Sequence, residues 1–226
     1  MNDVGVIAMT SAITGLVVAL TVRPVLSRLR EPADAGDKIA YRELATPRFV
    51  LGCTVLAMAA AVVSQTTLPV QVQPQWMVLA TCGVFLAAID AGTTWLPLRV
   101  TYAGWALMAL ACVVSLAFGA GSRDLLRIIL GAAIAWGLYY AIWAVTRGGF
   151  GFGDVRFAPV LGAAAASQSW TLLIWGLTLG TVVGAAHGMT RLLRRQRGGF
   201  AYAPSMLAGH YLAAIALHFS LGDPKL

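Results

Sequence analysis

Residues 4–22 read VGVIAMTSAITGLVVALTV, a run of 19 residues without a charged side chain. A helix needs about 20 mostly apolar residues to cross the hydrocarbon core of a bilayer. Further apolar runs follow along the chain, and the predicted spans are 4–22, 49–68, 76–90, 100–119, 125–146, 155–166, 169–190 and 200–221. The sixth is short, so we expect a half-helix or a continuation into the seventh. The sequence therefore predicts an all-α integral membrane protein, a bundle of about eight transmembrane helices.

The composition favours a single polytopic membrane domain over residues 1–226. Hydrophobic residues make up 59% of the chain and charged residues 11%, whereas soluble domains carry about 25% charged residues. The largest loop, at about 23–48, mixes six basic and four acidic residues and is expected to be solvated. The three cysteines lie singly in apolar runs without a C-x-x-C pair, which indicates small packing residues rather than a zinc or disulfide site.

The basic residues predict the orientation of the chain. Thirteen of the sixteen Lys and Arg residues fall in alternate loops on one side of the predicted bundle. Such an excess is typical of cytoplasmic loops, so both termini are expected outside. The net charge of +7 comes from these short loops between apolar runs, so nucleic acid is not an expected partner. The first residues, MNDV, carry an acid where a signal peptide carries basic residues, so we expect the first apolar run to be retained.

Two of the nine acidic residues, Asp90 and Asp154, lie where a predicted span meets the cytoplasmic boundary. Ionisable side chains at membrane depth are costly and usually functional. Taken alone, Asp154 could be the N-cap of the sixth helix and Asp90 an interfacial residue. Because the topology brings both acids to the same side, we predict that they act together.

The segment before Asp154, RGGFGFGD at 147–154, is rich in glycine. Its glycines, among them Gly149, Gly151 and Gly153, leave little bulk and let another chain approach closely. A membrane protease needs such an approach, because its substrate must be held extended beside a carboxylate. A phosphate-binding loop is the competing interpretation, but no strand precedes this segment and no lysine follows at the required place.

These segments resemble the prepilin peptidase (type IV leader peptidase) family of membrane aspartic proteases. Residues 151–154, GFGD, match the G-x-G-D signature of such proteases. Residues 88–101, AIDAGTTWLPLRVT, resemble the family pattern of an aspartate followed seven residues later by proline. Residues 200–209, FAYAPSMLAG, resemble its closing F-G-P-x-L-A-x-G stretch, and residues 15–30 are a looser match to its opening span.

The resemblance implies an intramembrane aspartic endopeptidase of the bacterial inner membrane, with Asp90 and Asp154 catalytic. Pro97, Arg156 and the loop glycines would bind substrate or shape the loop. The implied partner is a prepilin or pseudopilin precursor that is anchored in the lipid bilayer. Its short basic leader would be cut at the cytoplasmic face, after a small residue such as glycine.

Two features depart from the family pattern. The first loop lacks the cysteine-rich insert of many members, so the resemblance does not extend to N-methylation. Arg156 stands where the family often has lysine, which keeps the charge but replaces a point charge with a planar fork.

The chemistry expected of two close carboxylates needs no metal or organic cofactor. Both cannot ionise easily, so they share a proton and titrate as a unit. The ionised one takes a proton from the attacking water, and the other protonates the carbonyl oxygen and then helps the amine to leave. The sequence does not assign these roles between the two residues.

Three other interpretations remain open on the sequence. A small ion or proton-coupled transporter would use paired intramembrane aspartates as a relay, normally near the midplane. A presenilin-like protease also uses G-x-G-D, although Ile89 stands where its tyrosine is usual and Ser205 follows Pro204. A non-catalytic assembly protein is the third. The histidines share no metal-ligand spacing and are expected to pack between helices; they are His187, His210 and His218.

Overall fold

A computed structural model of the chain describes residues 3–31, 39–147, 150–195 and 200–221. These residues form helices and no strand, which confirms the predicted all-α membrane fold. The helices are α1 Asp3–Arg28, α2 Pro47–Thr67, α3 Val70–Thr93, α4 Leu98–Ala117, α5 Ser122–Val145, α6 Phe152–Gln168, α7 Trp170–Leu193 and α8 Ala203–Leu221. A 3₁₀ helix, Tyr41–Leu44, precedes α2, and α3 contains a π-helical turn at Leu79–Gly83.

Helices α3 and α6 form the interior of the bundle. Six of the described helices, all but α6 and α8, are long and apolar enough to cross a membrane, and α3 is by far the most buried of the six. In α6 most side chains from Asp154 to Ser167 are buried. Asp90 lies on α3 and Asp154 on α6, so the two aspartates belong to the two innermost helices.

The sixth predicted span, 155–166, is a separate helix of 17 residues that only Ser169 divides from α7. Ser169 has an extended backbone (φ −165°, ψ 161°), and its hydroxyl accepts a hydrogen bond from the N–H of Leu172 at 3.1 Å. This side chain caps the first turn of α7. The chain therefore changes direction at Ser169, and α6 does not continue into the next helix.

Close packing between α7 and α8 follows a glycine stripe. Gly176, Gly180 and Gly184 face His210, Met206 and Tyr202, and a Cβ atom at Gly180 would lie 3.3 Å from the Met206 Cα. His210 is fully buried against Gly176, which agrees with the packing role expected for it. Small residues let helix backbones approach closely where apolar burial gives no driving force.

The cysteines of the chain are free in the structure. Cys53 and Cys82 are buried and Cys112 is half-buried. Each therefore packs within the bundle as a small side chain, as the sequence indicated.

The loop between α1 and α2 is only partly solvated, contrary to the expectation for residues 23–48. Residues 32–38 lie outside the described part of the chain, but Tyr41 and Leu44 are buried. Leu44 packs on the end of α3, where a Cβ atom at Gly92 would lie 2.8 Å from the Leu44 Cδ2. The loop therefore contacts the turn of α3 that carries Asp90.

Replacing Arg127 with methionine is expected to destabilise the protein by about 2–3 kcal/mol. The Arg127 guanidinium donates hydrogen bonds to the terminal carbonyls of α6, at 2.6 Å to Ala166 and 2.6 Å to Ser167, and pairs with Asp124 at 3.0 Å. Carbonyls at a helix end have no partner within their own helix. Thermal unfolding in detergent should show that Arg127→Met melts at a lower temperature than the natural protein. Arg123→Met, at an exposed neighbouring position, is the control, and equal melting of the two variants would contradict the prediction.

Candidate active site

One end of the bundle opens into a cavity of about 680 Å³ that is lined by both Asp90 and Asp154. Its other walls come from the two residues that follow α1, from Tyr41, from residues 94–99 at the junction of α3 and α4, and from the start of α6. The structure therefore brings together two acids that are far apart in the sequence.

Asp90 lies in the last turn of α3 with only 3% of its surface exposed. Its Oδ2 accepts a hydrogen bond of 3.0 Å from the backbone N–H of Ala203, the first residue of α8. The first N–H groups of a helix have no intrahelical partner, and the helix dipole there favours a negative group. Asp90 is thus a buried, positioned carboxylate rather than a solvated interfacial residue.

Asp154 lies in the first turn of α6 with 6% of its surface exposed. The N-cap residue of α6 is Gly151, so the structure does not support the alternative interpretation of Asp154 as the N-cap. Within the described part of the chain the Asp154 Oδ1 has no hydrogen-bond partner, and the charge of Asp90 acts on this carboxyl group. A buried carboxyl oxygen without a partner is costly, so Asp154 has the environment of a functional group.

The glycines before Asp154 provide space at two points. A Cβ atom at Gly151 would lie 2.9 Å from the Asp154 Oδ2, and one at Gly153 would lie 3.0 Å from the Leu96 Cβ. Gly151 therefore leaves room for the carboxylate, and Gly153 lets α6 pack against the loop that follows Asp90. Gly149 lies outside the described residues.

The seven-residue spacing from Asp90 to Pro97 corresponds to a tight turn between two helices. Thr94 ends α3 in the left-handed region (φ 59°), and its N–H donates to the Asp90 carbonyl at 2.6 Å. A β-branched residue rarely adopts this conformation. Pro97 then begins α4, where its carbonyl accepts from the N–H of Thr101 at 3.1 Å. This turn brings Pro97 to the cavity wall.

Arg156 lines the cavity with its guanidinium 4.5 Å from the centre of the Phe152 ring. Its backbone carbonyl accepts a hydrogen bond of 2.9 Å from the indole Nε1 of Trp105. The stacking holds a planar cation at the cavity wall, which suits a fork-shaped guanidinium better than a lysine ammonium.

Tyr41 is a site residue that the sequence did not single out. It lines the cavity and is 3% exposed. Burial, together with the smaller effect of the charges of Glu31 and Asp90, raises the pKa of Tyr41 to about 12. The hydroxyl therefore stays protonated at neutral pH and is available as a donor in the cavity. Nothing in the sequence of this charged loop indicates that Tyr41 lies in the wall of a cavity.

The start of α8 connects Asp90 with the glycine-rich segment that precedes Asp154. Ala203 binds Asp90 through its N–H, while the ring of Tyr202 contacts Phe150 of the glycine-rich segment with centroids 5.1 Å apart. Phe150 in turn stacks on Tyr139 of α5 at 5.7 Å. Residues 200–209 entered the sequence interpretation only through a resemblance, and this contact gives them a structural role.

The site chemistry is that of two buried carboxyl groups beside a neutral phenol in an open cavity. Such a pair can exchange protons with a bound water and a carbonyl group. Among the described residues, no group of three or more His, Cys, Asp or Glu side chains is placed to hold a metal ion.

Comparison with known proteins identifies one family. The family model described as the type IV leader peptidase family matches residues 77–189, which are half of the chain and include both Asp90 and Asp154. Neither a curated protein nor a solved structure matches the chain.

Proposed function

Because the chain belongs to the type IV leader peptidase family, we propose that it is an intramembrane aspartic endopeptidase that removes the short basic leader of type IV prepilin-like precursors. The observation that carries this proposal is the position of Asp90 and Asp154, two buried carboxyl groups on the innermost helices that line one open cavity. Pro97, Gly151, Gly153 and Arg156 would shape the cavity around the substrate.

The proposed mechanism starts from an aspartate pair that shares one proton. Asp90 accepts the N–H of Ala203, a bond that favours its ionised form, whereas the buried Oδ1 of Asp154 has no partner among the described residues. We therefore assign the resting proton to Asp154. Asp90 takes a proton from water as the water attacks the scissile carbonyl, and Asp154 protonates the carbonyl oxygen.

The direct test is cleavage by the purified protein in detergent. The substrate is a synthetic membrane-anchored precursor with a basic leader, a glycine and an apolar helix, and mass spectrometry identifies the products. The proposal expects one cut, at the junction of leader and helix. Intact precursor after prolonged incubation, or cuts deep within the helix, would contradict the proposed activity.

The residue before the cut should be small. A peptide bond must be extended before its carbonyl can be attacked, and glycine lowers the cost of leaving a helix by about 1 kcal/mol relative to alanine. A precursor in which valine replaces this glycine should be processed at least about tenfold more slowly. The test compares the cleavage rates of the glycine and valine precursors at equal concentration. Equal rates would exclude a requirement for a small residue.

The basic loops should face the cytoplasm. The cavity end of the bundle carries most of the arginines, and the positive side of a membrane protein is usually cytoplasmic. Single cysteines in the loops near residues 35, 95, 150 and 195, in a background without the native cysteines, should resist labelling from outside intact cells. A cysteine at the exposed position Gly121, at the other end, should label. Strong labelling near 150 without permeabilisation would show that the orientation is opposite to the one proposed.

The transporter alternative is less well supported by the geometry. An ion relay needs acids along a path through the membrane. Both aspartates instead lie at helix ends that face one cavity, in the last turn of α3 and the first turn of α6.

A further inference from the structure

A second concave surface, which we call the lateral groove, runs between α1, α3 and α4 with a volume of about 460 Å³. Its walls are mainly apolar and are formed by Val18 and Val22 of α1, Phe85 of α3, and Ala103 and Leu107 of α4. All three helices are long and apolar enough to cross a membrane, so we expect the groove to open toward the bilayer.

The lateral groove adjoins the cavity that is lined by the aspartates. Leu29 and Arg99 line both of them. A second apolar groove, between α2, α3 and α8, is lined by residues such as Ala59 and Leu207 and shares no lining residue with that cavity. Of these two grooves, only the lateral groove offers an extended molecule a route from the bilayer to the aspartates.

The polar side chains in the membrane part of the lateral groove are already satisfied. The Thr21 hydroxyl donates to the Val17 carbonyl at 2.7 Å, and the Thr81 hydroxyl donates to the Met77 carbonyl at 2.8 Å. The basic residues that line the groove, Arg28 and Arg99, are exposed and lie toward the cavity, where they mark the membrane boundary. An apolar occupant would therefore be held in the groove by shape and not by hydrogen bonding.

The backbone of α3 and α4 is adapted at the groove. The π-helical turn Leu79–Gly83 presents Thr81 and Cys82 to it, and such turns often occur at functional sites. Gly104 lets α4 approach α3 closely, because a Cβ atom there would lie 3.1 Å from the Cys82 Sγ.

We propose that the lateral groove binds the first two turns of the substrate's transmembrane helix, next to the scissile bond. This inference rests on the proposed peptidase function. From Val17 to Val25 the α1 wall runs about 12 Å, which matches roughly two helical turns. Held there by packing, the helix would direct its leader past Leu29 and Arg99 into the cavity. Specificity would then depend on the shape of the residues just after the cut.

Filling the groove provides the kinetic test. Ala103→Trp should raise KM for a membrane-anchored precursor and lower its kcat/KM at least about tenfold, while a short peptide without the apolar helix is cut at the normal rate. Ala106→Trp, an exposed position on the same helix that does not line the groove, is the matched control. Equal effects on both substrates, or no effect on either, would overturn the proposal.

Cross-linking provides a test that does not depend on turnover or on a bulky substitution. In a background without native cysteines, Ala103→Cys should cross-link to a cysteine in the first two turns of the precursor helix, and Ala106→Cys should not. Cross-links that form instead from Ala59→Cys would place the helix in the second groove and overturn the proposal. The proposal would also be overturned if a photoreactive probe on Ala103→Cys labelled only lipid. Failure of the unaltered protein to cut any precursor would refute the peptidase function itself.

Discussion

Replacing either Asp90 or Asp154 with asparagine is expected to reduce precursor cleavage by about 10²- to 10⁴-fold, the usual contribution of a general acid or base. Asparagine has the shape of aspartate and keeps the packing of the buried site, but an amide cannot cycle a proton. At position 90 its carbonyl oxygen can still accept the N–H of Ala203. The loss should therefore appear in kcat rather than in stability. The alanine variants Asp90→Ala and Asp154→Ala should be at least as inactive.

The measurement is the initial rate of leader release from a membrane-anchored precursor, with thermal unfolding in detergent as the check on folding. Asp3→Asn, at an exposed acid near the start of α1, is the control and should keep full activity. If either buried variant retains more than a few per cent of the normal rate while it remains folded, the aspartate pair is not the catalytic group.

Adding a single methyl group at Gly151 is the second large effect that we expect. The backbone of Gly151 has φ −67°, ψ 128°, which alanine adopts without strain. The new Cβ atom would, however, lie 2.9 Å from the Asp154 Oδ2. The carboxylate must then shift, and a misplacement of about 1 Å in a reacting group can cost roughly 10² in rate. Gly151→Ala should accordingly lose most of its activity.

The matched control for this variant is Gly188→Ala. Gly188 lies on α7, and a Cβ atom there meets nothing within 4 Å. Gly188→Ala should keep normal activity and melt at the normal temperature or slightly above it, because alanine favours helices. Gly151→Ala should melt only a little lower than the natural protein. Activity of Gly151→Ala within twofold of normal would show that the space beside Asp154 is not required.

The sequence could predict that Asp90 and Asp154 lie at the same end of the bundle, because the signal for each is local. An acid at the end of an apolar run is unusual whatever the tertiary fold. Because successive spans cross the membrane in opposite directions, residues 90 and 154 are predicted on the same side. The spacing from Asp90 to Pro97 and the glycines before Asp154 are likewise features of short segments. Each has a local structural counterpart, since one forms a tight turn and the other a helix start with space for a carboxylate.

The remaining features of the site depend on contacts between distant segments. One partner of Asp90 is the N–H of Ala203, 113 residues away, and backbone groups carry no sequence signal. Tyr41 reaches the cavity only because its loop packs on the end of α3.

By itself the sequence determined the helical membrane class, most of the spans and the two acids, because each follows from composition within a single segment. The tertiary structure alone decided what surrounds those acids and which groove shares lining residues with their cavity. Cavities are spaces between helices, and their shape depends on how closely the backbones approach. At the lateral groove, α3 has a π-helical turn at Leu79–Gly83, and α4 has no side chain at Gly104, where a Cβ atom would lie 3.1 Å from the Cys82 Sγ. Neither can be read from the hydropathy of one helix, because packing between membrane helices depends on the shape of both partners.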